Sequence, residues 1–446
     1  MTRAGIALVL AVAVSACSGG LMSTGERDGW TRAFEEGVPA FDLEVIPVGD
    51  SNQAEVRLGL IPASLVFSAM PDGGYRARVH YTVEIGDALV SEYTDSLVAV
   101  SVETASSFER VVRTRTVSMD SEARVRVVLR DLSSERSATR VQAVTWTEAE
   151  GASIGRVHLK GLEQPLVGID IARDAPTLTA GLTVRAWAPG CVSWTFVSVP
   201  TDTLAASLPF SLSPPFGSRA YAGALYDSAD TLAVSDQRVD APGGLTVNWE
   251  LPEQRSLGVH RVTASWSADC DAPGVSTGRS FIVRPAGFPR VVSLDVMIEA
   301  LDYIASEDEL ARVEAATGAA DRKDAFDAFW GRALGEPVSA SRALARYYSR
   351  VEEANRAFSG FKEGWKTDRG MIYIVMGPPL YQEDSMDELR WFYSYDERNA
   401  GRYFVFDRVQ GYPDELEMPH YVLRRSMEQE QEWRLAVRRW RSGRAR

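Results

Sequence analysis

Ser153 lies in Gly151-Ala152-Ser153-Ile154-Gly155, which satisfies the Gly-x-Ser-x-Gly pattern of a hydrolase nucleophile. Such a serine needs a sharp strand-to-helix turn to expose its hydroxyl. The residues on both sides alternate as strands do, so this segment reads as a loop between two β-rich domains. Gly49-Asp50-Ser51-Asn52 has the form of another serine nucleophile block, one that requires a later Asp-x-x-His to supply its base. None of His80, His158, His260 or His420 has an Asp three residues before it. The acidic pairs Glu383-Asp384 and Asp387-Glu388 have the chemistry for acid–base work on glycans, but they fall in a segment that reads as a solvated loop. No HExxH, CxxC, Walker A or GxGxxG pattern occurs. Four His and three Cys leave little material for a metal site. No catalytic residue, metal or cofactor is assigned.

The elements that would carry any site follow from composition and periodicity. The chain has 446 residues, with 48 Lys and Arg against 61 Asp and Glu, a net charge of −13. That balance argues against nucleic acid and other polyanions as general partners. With 45% hydrophobic and 24% charged residues the chain is globular, and its length suggests about three domains.

Residues 1–16 read as a leader. Arg3 precedes an apolar stretch from Ile6 to Val14, which is too short to span a bilayer. Val14-Ser15-Ala16-Cys17 looks like a bacterial lipobox, which implies that Cys17 becomes the acylated N-terminus. Ser18, in place of Asp, permits the outer membrane by analogy with bacterial lipoprotein sorting. No other segment reaches 18 apolar residues, so the remainder reads as exported and soluble. Cys191 and Cys270 can pair in an oxidising compartment or remain as two buried thiols.

Residues 17–38 are Gly- and Ser-rich and read as a tether. Over 39–150 the period is two. Tyr75, Ala77, Val79, Tyr81, Val83 and Ile85 alternate with polar residues after the turn Pro71-Asp72-Gly73-Gly74, and Ala123, Val125, Val127 and Leu129 share a face. Over 151–288 the pattern recurs in Leu245, Val247, Trp249 and Leu251 and in His260, Val262, Ala264 and Trp266. Both read as β-sandwich (Ig-like) domains. After Pro289 the period becomes helical. Leu294, Met297, Leu301 and Ile304 form one stripe, Ser306 to Glu309 a capping box, and Asp324 to Leu334 another helix. Ser341 is expected to cap a helix striped by Leu344, Tyr348, Val351, Asn355 and Phe358 and stopped near Gly360. Asn355, on the apolar face, needs a hydrogen-bond partner. Strands are expected at Met371–Met376, Leu389–Tyr395 and Tyr403–Val409.

Gly364-Trp365-Lys366-Thr367-Asp368 has the form GWxTD. Arg369-Gly370, the run Met371 to Ile374 and Gly377-Pro378-Pro379 follow it. With Phe329-Trp330, Tyr348, Arg350-Val351 and Ala354-Asn355 upstream, and Trp391-Phe392-Tyr393 and Phe404 to Arg408 downstream, the chain resembles bacterial GWxTD-domain proteins over about 290–425. Gly331 to Pro337 departs from the Arg-Asp-Pro expected after Phe-Trp. The resemblance implies an envelope protein with β-rich N-terminal regions and an α+β domain over 289–425. It carries over no catalytic residue.

The motif itself admits a structural reading. Trp365 closes over the core, Thr367 and Asp368 accept backbone N–H groups, Gly370 provides positive φ or room, and Pro378-Pro379 end a strand. In the alternative, Asp368, Arg369 and Asp407 form a surface that recognises a ligand.

Residues 426–446 read as a basic amphipathic helix. The stretch 421–446 has eight Arg and three Glu, with Trp433, Val437 and Trp440 on one face. It can lie on an anionic membrane or dock on the acidic body of the chain. The expectation is a lipid-anchored envelope protein of two sandwiches and a GWxTD domain. It would act as a non-catalytic binding or assembly module for an envelope protein or polymer. The rival is a glycan-processing or other hydrolase with unplaced carboxylates. No oligomeric state follows.

Overall fold

The computed structural model describes residues 38–49, 52–86, 88–119, 123–161, 164–172, 177–200, 204–211, 229–240, 242–253, 255–272, 274–285, 287–334, 337–385, 387–394, 400–408 and 420–445. The leader, Cys17, most of the tether, Asp50 and Ser51 lie outside them.

The first sandwich packs a three-stranded sheet on a five-stranded one. β1 (Phe41–Pro47), β2 (Gln53–Leu60) and β6 (Val111–Ser118) form the first sheet; β3 (Ser68–Ala69), β4 (Tyr75–Ile85), β5 (Ala88–Ala99), β7 (Ala123–Asp131) and β8 (Ser137–Val144) form the second. Alternation decides which face is inward. Ala77, Val79, Tyr81 and Val83 of β4 and Val125, Val127 and Leu129 of β7 are all fully buried against Val56 and Leu58 of β2. A single helical turn, α1 (Val102–Ala105), follows β5.

The second sandwich has one sheet of β9 (Thr147–Ala149), β10 (Ala152–Lys160), β11 (Pro165–Leu166), β13 (Thr179–Ala186) and β16 (Gly243–Glu250). The other holds β12 (Asp170–Ala172), β14 (Gly190–Val199), β15 (Asp230–Val239), β17 (Gly258–Ser267) and β18 (Val275–Arg284). β12 pairs with β18 in parallel, an exception to the antiparallel expectation. Trp194, Phe196, Trp266 and Phe281 fill the space between the sheets. Cys191 and Cys270 form a disulfide across 79 residues of sequence.

The C-terminal part is α+β. Helices α2 (Leu294–Glu299), α3 (Glu307–Glu314), α4 (Ala319–Leu334), α5 (Pro337–Phe358) and α6 (Asp368–Met376) precede the sheet β19 (Tyr381–Asp384), β20 (Glu388–Phe392), β21 (Tyr403–Arg408) and β22 (Tyr421–Leu423), and α7 (Glu430–Arg441) closes it. Ser306 and Glu309 make the expected capping box on α3. Three expectations are corrected. Met371–Met376 belongs to a helix, not a strand, because Thr367 caps it and Gly377 ends it at φ 87°. Met371 to Val375 can be hydrophobic on every side because the whole run from Asp368 to Val375 is buried. Ser341 lies inside α5, which begins at Pro337, where the missing N–H costs nothing. Glu383 sits in β19 and Glu388 in β20, so the acidic pairs flank a hairpin instead of filling a loop.

Residues 426–446 do not stand apart. Trp433, Ala436 and Trp440 of α7 are buried in the core shared by α5, α6 and β20–β22, and the Trp440 indole N–H donates to the Val375 carbonyl at 3.0 Å. A buried Trp removes about 150–250 Å² from water, an upper estimate of about 4–6 kcal/mol each. The apolar face of the tail is therefore turned inward. Residues 204–211, between β14 and β15, also lie on this core. Ala205, Ala206, Leu208 and Phe210 pack against it, and the Pro209 carbonyl accepts from the Ser426 N–H at 3.0 Å. No helix among the described residues is long and apolar enough to cross a membrane.

Candidate functional site

The signature forms the joint between α5 and α6. Beyond Phe358 the chain turns back, and the Ser359 hydroxyl accepts the Gly364 N–H at 2.7 Å. Gly364 then presses flat on α5. A Cβ there would come closer than 3.0 Å to the Ala354 carbonyl, a separation that Cβ atoms essentially never show. On the other side, a Cβ on Gly370 would collide in the same way with the Gly364 carbonyl. Gly370 is thus required for close approach; its φ is not positive. Backbone lies directly on backbone from α5 through Gly364 to α6.

Polar groups lock that stack. The Thr367 hydroxyl donates to the Gly364 carbonyl at 2.7 Å and accepts the Gly370 N–H at 3.0 Å, capping α6. Trp365 is fully buried. Its N–H donates to Asn355 Oδ1 at 3.2 Å, its carbonyl accepts from the Tyr303 hydroxyl at 2.9 Å, and its indole N–H donates to Glu363 at 3.2 Å. Asn355 Nδ2 donates to the Pro289 carbonyl at 3.2 Å, so both ends of this buried amide are satisfied. Asn355→Ala strands the Trp365 N–H and the Pro289 carbonyl. It is expected to cost about 1–3 kcal/mol, read from urea unfolding.

Asp368, Arg369 and Asp407 do not converge on one opening. Asp368 accepts the Leu423 N–H at 2.8 Å and pairs with Arg425 at 2.6 Å, with both side chains about nine-tenths buried. Asp407 pairs with Arg424, which also holds Glu388. The Arg369 guanidinium lies 5.2 Å from the Phe358 ring centre and 4.3 Å from that of Tyr421. Of the three, Arg369 lines a cleft together with Phe358, Phe361, Lys362, Thr367, His420 and Tyr421. Gly377 carries the positive φ at the end of α6, its N–H donating to the Tyr373 carbonyl at 2.8 Å, before Pro378 and Pro379. The two prolines end a helix, not the expected strand.

Residues 269–442 match the family model of the GWxTD domain. The chain carries a GWxTD domain. That match includes α7, in agreement with the burial of Trp433 and Trp440. Among solved structures the chain is similar to the crystal structure of red sea bream transglutaminase, with 10% identity over 55% of this chain and 31% of that one, at a TM-score of 0.16. The chain thus spans about a third of that structure, and a likeness this faint carries no argument. No curated protein matches.

Outside the GWxTD domain, the serine motif is buried, not displayed. Ser153 sits on β10, not in a loop, and its hydroxyl donates to the Glu148 carboxylate at 3.0 Å. His158, on the same strand, is held neutral to about pH 3 by burial and by the nearby Arg57. Burial likewise lowers the pKa of His260, whose ring stacks against those of both Phe196 and Phe281. Among the described residues no group of three or more His, Cys, Asp or Glu has the geometry of a metal site. Sequence reasoning misses Phe361, Lys362, His420 and Tyr421. Their cleft joins positions about 60 residues apart, and no local pattern announces that meeting.

Proposed function

We propose that this protein is a lipid-anchored envelope component that binds or assembles with another envelope protein or polymer and performs no catalysis. The observation that carries the reading is the lining of the cleft beside the GWxTD signature, which among the described residues is made of aromatic and basic groups with Thr367 and Gly360 and holds no carboxylate. A glycan hydrolase of the common type needs two facing carboxylates. The signature supports the same reading, since its hydroxyl, amide and carboxylate groups hold the fold together. The β-domains add surface suited to a partner. β5 and β15 lie at sheet edges, with Leu89 and Val98 each 59% exposed and Val234 69% exposed. Attachment through Cys17 and a place at the outer membrane belong to this proposal and rest on the leader alone.

Gentle crosslinking in the native membrane followed by purification is the test. A reproducible envelope partner is expected, together with an acylated Cys17 in the mass spectrum. Turnover of cell-wall fragments by the purified protein would overturn the non-catalytic reading.

A further inference from the structure

The C-terminal end of α7 lies beside the N-terminal half of α5. Arg346 of α5 donates to the Ala445 carbonyl at 2.8 Å, and Gly443 lies near Leu334 at the end of α4. Arg342 and Arg346 on α5 and Arg438, Arg439 and Arg444 at the chain end are all exposed. Among the described residues none of these five pairs with a carboxylate. Their neighbours do: Arg441 holds Glu309 at 2.6 Å and Arg434 holds Glu430 at 2.8 Å. Cations in a last helical turn favour the helix dipole, which accounts for Arg438 and Arg439. It does not account for Arg342 and Arg346. These five exposed, uncompensated positive charges lie on two neighbouring segments of a chain that as a whole carries −13. An opposing anionic surface would compensate them.

We propose that this arginine cluster docks on the phosphate headgroups of an anionic membrane. The apolar face of α7 is buried in the core, so the contact is made by charge alone and does not insert into the acyl region. Each arginine near an anionic leaflet contributes about 1 kcal/mol, and a basic patch is the usual second signal beside an acyl chain. The proposal rests on the reading above only in that an acylated Cys17 brings the chain to a membrane.

The test uses the chain from Ser18 onward, made without its leader and so without acyl groups. It is mixed with vesicles of phosphatidylcholine alone or with added phosphatidylglycerol, and sedimented. Binding is expected only on the anionic vesicles and is expected to vanish between about 0.05 and 0.5 M salt, where screening shortens to a few ångströms. Arg438→Gln with Arg439→Gln, and separately Arg342→Gln with Arg346→Gln, are each expected to weaken binding about thirty-fold. All four side chains are exposed, so circular dichroism should be unchanged. Equal binding to both vesicle types, no binding to anionic vesicles at low salt, or variants that bind like the parent would each overturn the proposal. Capture of an acidic protein without vesicle binding would do the same. The mass of the native N-terminal peptide reports separately on Cys17, so the anchor and the cluster can fail independently.

Discussion

Gly364→Ala or Gly370→Ala is expected to destabilise the GWxTD domain by at least about 3 kcal/mol, enough to leave it partly unfolded. The atoms in the way are the main chain of Ala354 and Asn355 for Gly364, and of Gly364 and Trp365 for Gly370. No side chain can swing aside to make room. Relief requires α5 and α6 to separate, and that breaks the hydrogen bonds of Thr367 and Trp365 as well. Gly331 is the internal comparison. It lies in α4 with nothing within 4 Å of the place a Cβ would take, so Gly331→Ala should gain up to about 1 kcal/mol of helix propensity. Urea unfolding followed by tryptophan fluorescence reads both. A Gly364→Ala protein as stable as its parent would refute the close-packing account of the signature.

The second large effect is at Asp368. Asp368→Ala removes the partner of Arg425 while that arginine stays nine-tenths buried, and breaking such a pair costs about 3–5 kcal/mol. It also frees the Leu423 N–H, loosening β22 from α6. Replacing both partners with apolar residues, Asp368→Leu with Arg425→Met, should recover much of the loss, because the damage comes from the stranded charge. Asp368→Asn separates structure from recognition. If Asp368 served a ligand, this variant would keep its melting temperature and lose partner binding; the structure predicts a lowered melting temperature.

The β-domains are largely legible in the sequence because alternation over eight or more residues, as in β4 and β17, has one interpretation when one face is buried. The capping box at Ser306 is legible for the same reason: its chemistry is local. Met371 to Met376 reads wrongly as a strand because six consecutive apolar residues fit a buried strand and a buried helix equally well. Thr367 as cap and Gly377 as terminator are the available signals, and they outweigh the β-branched residues between them. The role of Gly370 is half visible: the sequence suggests positive φ or room for Trp365, whereas φ is not positive and the room is for the backbone of Gly364 and Trp365. The union of Arg369 with Tyr421 and the pairing of Asp368 with Arg425 join positions more than 50 residues apart and leave no periodic trace.

Residues 204–211 bear on where the last domain can be excised. The family match begins at residue 269, yet Leu208 and Phe210 cover its core, the Ser207 carbonyl accepts from Arg425 at 3.1 Å, and the Leu204 carbonyl accepts from Lys362 at 3.2 Å. A fragment cut at residue 269 would leave bare apolar surface and unmet donors where that segment sat, so the piece recognised by descent is smaller than the piece that can stand alone.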